Sequence, residues 1–289
     1  FEVFLAGQAP AGQKDLEQAI ALLRGVRADC CSTPAARLLF INALADLARN
    51  HISVRDAEGG LTLAQEAVAN ARRWLTQRPA ALEIPQALTA ALSTQGVLLE
   101  AKGDLTAARG ALAESTQWAA RAVQANPGEE SLLYYQARAL EFLAGLCVTL
   151  HDGACARDSG AQAADILGAL LVRTPENTSW RNMRVMAAMN RSSGLGFLAD
   201  QSPALRPQAV DAARAAYELA KNNALLNPEG REESDNLYVA AQRLGAQLDN
   251  FGRKAEAEFY AREAGAVIEA LVRREPENRR SLRLQFINQ

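Results

Sequence analysis

Two cysteines and a histidine stand at four-residue spacing in one short stretch: Cys147, His151 and Cys155, with Asp152 between them. Residues at i and i+4 share one helix face, so Cys147 and His151 could ligate a metal ion together. Gly153 turns the chain before Cys155, however, and zinc motifs usually carry paired Cys-x-x-Cys spacing. We therefore expect no metal site in this stretch.

A disulfide suits the same two cysteines better. Cys147 falls in the last turn of one expected helix and Cys155 near the start of the next, and a short turn brings such positions side by side. Bridging requires Cα atoms within about 7 Å, which a helical hairpin allows. Buried free thiols are the alternative. Cys30 and Cys31 lie at a helix junction, where they are free or pair elsewhere.

The two histidines of the chain, His51 and His151, both lie near the ends of expected helices. A general base needs a partner group and a pocket, and neither histidine has a partner at motif-level spacing. A histidine near a helix C-terminus complements the helix dipole instead. The sequence thus predicts no catalytic residue and no cofactor.

Side chains suited to binding recur at one helical spacing. Tyr135, Arg138 and Phe142 fall at positions expected to face the concave side of a helical array. Aromatic and arginine side chains supply contact area and hydrogen bonds in recognition surfaces, although aromatics at helical spacing more often belong to a core. Comparable positions elsewhere are occupied by Ser93, Glu100, Asn190, Gln242 and Asp249.

Regularly spaced prolines mark the boundaries of the repeat units that position these side chains. Six of them stand 45, 48, 48, 53 and 48 residues apart, from Pro34 to Pro276. Self-similarity at this period marks a repeat architecture, in which each unit buries its apolar face against the next. The pattern predicts an all-α, right-handed helical-repeat solenoid of about 12 antiparallel helices in a single domain, 1–289. Its units are 34–78, 79–126, 127–174, 175–227 and 228–275, with flanking helices at 13–28 and 277–288.

Each interval contains two apolar stripes of helical period separated by a turn, and no strand pattern occurs. Glycine at such a turn provides the left-handed residue that ends a helix. We expect the turns of the five units at Asp56–Gly60, Gly103, His151–Gly153, Asp200–Pro203 and Phe251–Arg253.

Composition narrows the classes of partner. The net charge is −2, which argues against a general nucleic-acid or anionic-membrane surface. No apolar run approaches the 18 or so residues of a membrane span. The chain starts at Phe1 without a methionine, and we expect it to be a fragment whose only membrane link would be a missing flanking segment.

Two units resemble tetratricopeptide repeats. In the last unit, Leu244-Gly245-x-x-Leu248 is followed by Ala257, Ala261 and Ala264 at that family's spacing. The second unit has Gly96, Leu99, Ala108, Leu112 and Ser115 at the same offsets, although Gln95 departs from the leucine–glycine pair. The resemblance implies helix pairs that stack and bind a protein, a peptide or a small ligand.

The junctions Thr174-Pro175-Glu176-Asn177 and Glu275-Pro276-Glu277-Asn278 add a more specific resemblance. They look like the junctions of arrays attached to bacterial transmembrane serine/threonine kinases and to membrane-bound winged-helix regulators. This resemblance implies a periplasmic, extracytoplasmic sensor region that signals across a membrane and could form homodimers. No kinase motif lies in the chain itself, so any kinase domain would lie in a missing part.

Three readings of function follow from the sequence. The first is a non-enzymatic sensor domain that binds a signalling ligand, peptide or protein on its concave face. The second is a cytoplasmic scaffold that docks peptides or partner proteins in the same groove. The third, an enzyme with an unrecognised site, ranks last because no catalytic constellation is visible.

Overall fold

A computed structural model describes residues 9–28, 33–53, 56–78 and 83–275, and every regular element in these ranges is helical. The all-helical prediction is confirmed, and α1 starts four residues earlier than predicted. Cys30, Cys31 and the predicted flanking helix at 277–288 lie outside the described residues.

The helices are α1 (Ala9–Ala28), α2 (Pro34–Ser53), α3 (Ala57–Gln77), α4 (Glu83–Ala101), α5 (Leu105–Ala125), α6 (Glu130–Thr149), α7 (Gly153–Arg173), α8 (Thr178–Gln201), α9 (Arg206–Leu226), α10 (Arg231–Asn250) and α11 (Lys254–Arg274), with a 3₁₀ turn at Pro203–Leu205 before α9.

The chain forms two compact units, Phe1–Leu146 and Cys147–Gln289. In the first, α1 to α5 pack each on the next, and α2 also packs on α4. In the second, α7 to α11 do the same, and α8 also packs on α10. Alanines dominate the buried positions, which lets neighbouring helices approach closely. Within the described ranges, none of the helices combines the length and the apolar composition that crossing a membrane requires.

An aspartate caps the second helix of three successive units. The side chains of Asp56, Asp104 and Asp152 accept hydrogen bonds from backbone N–H groups three residues on, at 3.0, 3.0 and 3.1 Å. Each bond satisfies a donor that the start of a helix leaves without a partner. The three aspartates are 48 residues apart, so the repeat period fixes where α3, α5 and α7 begin.

The turn predicted at Asp56–Gly60 is shorter than expected. Asp56 is the N-cap, and Gly59 and Gly60 lie inside α3. Packing explains the glycines: a Cβ on Gly60 would lie 2.8 Å from the backbone oxygen of Ala48 on α2. The glycines therefore allow a close helix crossing and do not break the helix.

An arginine–glutamate ion pair recurs between alternate helices. Each pair joins residues 42 apart, so the spacing again follows the repeat. The partners are largely exposed, so each pair contributes little to stability alone and mainly marks the register of the helices. The pairs are Arg24–Glu66 (α1–α3), Arg72–Glu114 (α3–α5) and Arg214–Glu256 (α9–α11).

Candidate functional site

The turn between α6 and α7 carries a disulfide. Cys147 and Cys155 are bonded, with their Cα atoms 5.8 Å apart, which agrees with the pairing expected from the sequence. The turn is tight because His151 has a φ of 55° and Asp152 caps α7. Cys147 is fully buried, whereas Cys155 is half-buried.

The structure places Asp152, and not His151, beside the two cysteines considered as metal ligands. The ligand atoms of Cys147, Asp152 and Cys155 lie within 4.8 Å of one another. The His151 ring instead packs on Phe197, with ring centroids 4.8 Å apart. Because the two sulfurs are bonded to each other, the structure assigns them to a covalent cross-link and not to a thiolate ligand set.

His51 has a structural partner. Its Nδ1 lies 2.8 Å from Oδ2 of Asp56, whose other oxygen accepts the backbone N–H of Gly59. The Gly59 N–H and then the His51 side chain hold the pKa of Asp56 below its ordinary value. This geometry is that of a helix N-cap braced by an imidazole, a contact that the sequence did not predict.

Three predicted binding residues come together on α6 in the first unit. The guanidinium carbon of Arg138 lies 5.3 Å from the centre of the Phe142 ring. Tyr135 meets Tyr134 edge to face, with ring centroids 5.5 Å apart. All four side chains are half-buried, so part of each faces solvent. We call this group, together with Arg49 of α2, the Arg138 surface.

Arg49 brings a second positive charge to this surface. Burial lowers the pKa of Arg49, and the charge of Arg138 lowers it further. Asp46 opposes that effect, with its Oδ1 3.1 Å from Nη1 of Arg49, and the two tyrosines oppose it weakly. Asp46 is one carboxylate that acts on Arg49, and its side chain is half exposed to water.

Arg138 itself is held by an aromatic ring. Within the part of the chain that the structure describes, its guanidinium makes no ion pair. A guanidinium over an aromatic face keeps its hydrogen-bond donors, which lie in the guanidinium plane, available to a third group. The Arg138 surface can therefore donate to a carboxylate or phosphate while the aromatic rings cover apolar atoms.

Ser93 and Glu100, the other two predicted residues of the first unit, differ in their exposure to solvent. Ser93 is only 2% exposed and bonds Ser115, with the two hydroxyl oxygens 2.8 Å apart, while Ser115 also donates to the Thr89 carbonyl. The expectation that Ser93 lines a groove is corrected: its hydroxyl links α4 to α5 inside the core. Glu100 is half-buried near the end of α4.

The predicted residues of the second unit lie on α8 and α10. Asn190 is buried, and its Oδ1 lies 3.5 Å from Nη1 of Arg243. Gln242 and Asp249 border a cavity of about 730 Å³ formed by α10 and α11. Asn190 therefore contributes to helix packing, whereas Gln242 and Asp249 flank open space.

Sequence reasoning missed Arg49 as a member of the surface. Arg49 is 89 residues from Arg138, so no local sequence pattern links the two. The position of Arg49 in its helix was the available signal. Arg49 lies two residues before His51, which the sequence had already placed near the C-terminal end of the first helix of its unit.

Comparisons with known proteins identify the fold. No protein-family model and no curated protein sequence matches the chain. The crystal structure of BtubC (BKLC) from P. vanneervenii is similar, with 16% identity, a TM-score of 0.60 and coverage of 92% of this chain and 93% of that chain. A putative kinesin light chain from Podosopora anserina with nearly identical TPR-like repeats is 14% identical over 81% of this chain and 96% of that chain, with a TM-score of 0.46. Identity this low shows the fold alone. The chain has a tetratricopeptide-like helical-repeat fold.

Proposed function

We propose that this repeat domain binds a peptide segment of a partner protein at the Arg138 surface. The observation that carries the proposal is the pairing of two guanidinium groups, on Arg49 and Arg138, beside half-buried aromatic rings. Arginine and tyrosine are the residues most enriched at the energetic centres of protein interfaces.

The chemistry of the surface selects the partner. Two positive charges partly removed from water favour a carboxylate, because a charge-assisted hydrogen bond from a guanidinium is about twice as strong as a neutral one. The rings of Tyr135 and Phe142 cover an apolar neighbour of that carboxylate. The expected ligand is therefore a peptide with an acidic residue beside an aromatic or aliphatic one.

A selection experiment tests the proposal. A random peptide library displayed on phage would be panned on the immobilised domain and on two variants. Arg138→Gln removes the charge from the surface. Arg121→Gln is the matched control, because Arg121 also stacks on a ring, that of Trp118 at 4.8 Å, but lies on α5.

We expect acidic, aromatic-containing peptides to be enriched on the wild type and on Arg121→Gln. Enrichment should be lost on Arg138→Gln and on the double variant Tyr135→Ala, Arg138→Ala, while helicity stays unchanged. Equal enrichment of the same peptides on Arg138→Gln would place the binding surface elsewhere and refute the proposal.

A second, finer candidate is an extracytoplasmic sensor region of a bacterial transmembrane serine/threonine kinase. The Cys147–Cys155 disulfide favours it, because disulfides persist mainly in oxidising compartments. Rapid acid quenching of living source cells, followed by alkylation in denaturant without a reductant, separates this candidate from a cytoplasmic scaffold. The sensor predicts that both cysteines resist alkylation until they are reduced, whereas the scaffold predicts that both are alkylated at once.

A further inference from the structure

The turn between α6 and α7 holds Cys147, Asp152 and Cys155 together by bonds that do not involve sulfur. The backbone N–H of Asp152 donates to the Cys147 carbonyl at 2.9 Å. The Asp152 side chain accepts the backbone N–H of Cys155 at 3.1 Å. Reduction of the disulfide breaks neither bond, so the two thiols and the carboxylate should stay side by side in the reduced chain.

Packing against α8 holds the same turn in place. A Cβ on Gly153, the first residue of α7, would lie 2.9 Å from the backbone oxygen of Gly194, so the two helices meet backbone to backbone. The centroid of the His151 ring lies 4.8 Å from that of the Phe197 ring. Neither contact involves the disulfide. The arrangement of the turn therefore does not depend on the cross-link alone.

The spacing of the three ligand atoms suits a small cation. The Sγ atoms of Cys147 and Cys155 and a carboxylate oxygen of Asp152 lie within 4.8 Å of one another. A tetrahedral zinc ion, with bonds of about 2.3 Å to sulfur and about 2.1 Å to oxygen, requires ligand atoms about 3.6 to 3.8 Å apart. Once the disulfide is reduced, rotation about the Cα–Cβ bond of each cysteine can separate the sulfurs to that distance.

The donor set selects the metal. Two thiolates and one carboxylate favour Zn²⁺, because Mg²⁺ and Ca²⁺ take oxygen ligands. A carboxylate accepts several bonds, so Asp152 can cap α7 and ligate a metal ion at once. Cys147 is buried, whereas Asp152 and Cys155 are half-buried, which leaves the fourth position of a tetrahedral ion to a water molecule. The sequence predicted no metal here because Cys-x-x-Cys spacing is missing, but the hairpin brings together cysteines eight residues apart.

We propose that the reduced protein binds Zn²⁺ through Cys147, Asp152 and Cys155, and that the disulfide is the form of the same site that does not bind metal. A dithiol reductant supplies two electrons and two protons, which convert the disulfide to two thiols while the reductant itself becomes a disulfide. Zn²⁺ then displaces both thiol protons to solvent as two Zn–S bonds form. Oxidised glutathione reverses the change: the two thiolates give up two electrons, their S–S bond closes, Zn²⁺ leaves, and the oxidant becomes two thiols.

Cobalt absorption spectroscopy on the full chain tests the site, because a cobalt–thiolate bond gives a charge-transfer band that Zn²⁺ abolishes when it displaces Co²⁺. All variants would carry Cys30→Ser and Cys31→Ser, so that Cys147 and Cys155 are the remaining cysteines. Asp152→Asn removes the charged ligand but keeps a side-chain oxygen that caps α7. Asp104→Asn is the matched control, because it makes the same change at the cap of α5.

The reduced chain, freed of reductant under nitrogen, should bind one Co²⁺ that Zn²⁺ displaces, whereas the oxidised chain should bind none. Cys155→Ser should lose the band, Asp152→Asn should raise the Kd for Co²⁺ at least tenfold, and Asp104→Asn should stay within twofold. Far-ultraviolet circular dichroism checks that each reduced chain is folded. No Co²⁺ uptake by the folded, reduced chain, an unchanged Kd in Asp152→Asn, or one Co²⁺ held between two chains would overturn the proposal.

Discussion

The crossing of α7 and α8 offers a sharp test of how the repeats pack. Gly160 of α7 faces the backbone of α8: a Cβ placed there would lie 2.7 Å from both the Ala187 oxygen and the Arg191 nitrogen. Ordinary contact begins near 3.4 Å, so Gly160→Ala would force the helices apart by roughly 0.7 Å. Gly168 lies on the same helix, but a Cβ there would meet only the Arg184 guanidinium at 3.3 Å.

Both substitutions gain the same helix propensity, about 0.5 to 1 kcal/mol, because both glycines are inside α7. Gly168→Ala should keep that gain, since a long side chain can move aside. Gly160→Ala adds overpacking against backbone, which costs about 1 to 3 kcal/mol. Urea unfolding followed by circular dichroism should therefore separate the variants by about 1 to 3 kcal/mol. Equal stability of the two would show that α7 and α8 do not cross as closely as described.

Three further predictions concern stability. Cys155→Ser removes a cross-link between residues eight positions apart and should lower the free energy of unfolding by about 2 to 3 kcal/mol. Reducing the disulfide of the wild type should cause the same loss, whereas adding reductant to the variant should cause no further loss. Burial raises the pKa of Tyr217, and its hydrogen bond to Glu263 raises the pKa further, so the folded state favours the neutral phenol. The free energy of unfolding of the wild type should therefore fall as pH rises above about 10. Tyr217→Phe should make this fall smaller in denaturant titrations between pH 9 and 11. Asp104→Ala removes a helix cap and should cost about 1 kcal/mol, whereas Asp200→Ala, inside α8, should change stability by only a few tenths; equal effects would contradict the capping role.

The helix pairs could be predicted because their signals are local. Proline spacing and helical stripes predicted each of the eleven described helices, α1 as a flanking helix. The Cys147–Cys155 pairing was accessible for the same reason, since both residues belong to one short hairpin. The 48-residue spacing of Asp56, Asp104 and Asp152 was also present in the sequence. It would have placed the start of α3 correctly, where the two glycines suggested a turn.

The candidate site was less predictable because it depends on contacts between repeats. Ser93 was predicted to line the groove from its helical spacing, but its hydroxyl turns inward to Ser115. The charge of Arg138 acts on Arg49 although the two residues lie on different helices, and no local spacing reveals that approach. Periodicity predicts which face of a helix is buried, but it does not predict which polar residues on that face meet.

Binding of one selected acidic peptide to the Arg138 surface is the most direct test of the proposed function. Fluorescence anisotropy would measure its Kd for the wild type, Arg138→Gln and the control Arg121→Gln, at low and high salt. Loss of a charge-assisted hydrogen bond of about 1.5 to 3 kcal/mol predicts that Arg138→Gln weakens binding at least tenfold. Arg121→Gln should stay within twofold, and the wild-type Kd should rise with salt. An Arg138→Gln variant that is folded and binds within twofold of the wild type would contradict the account.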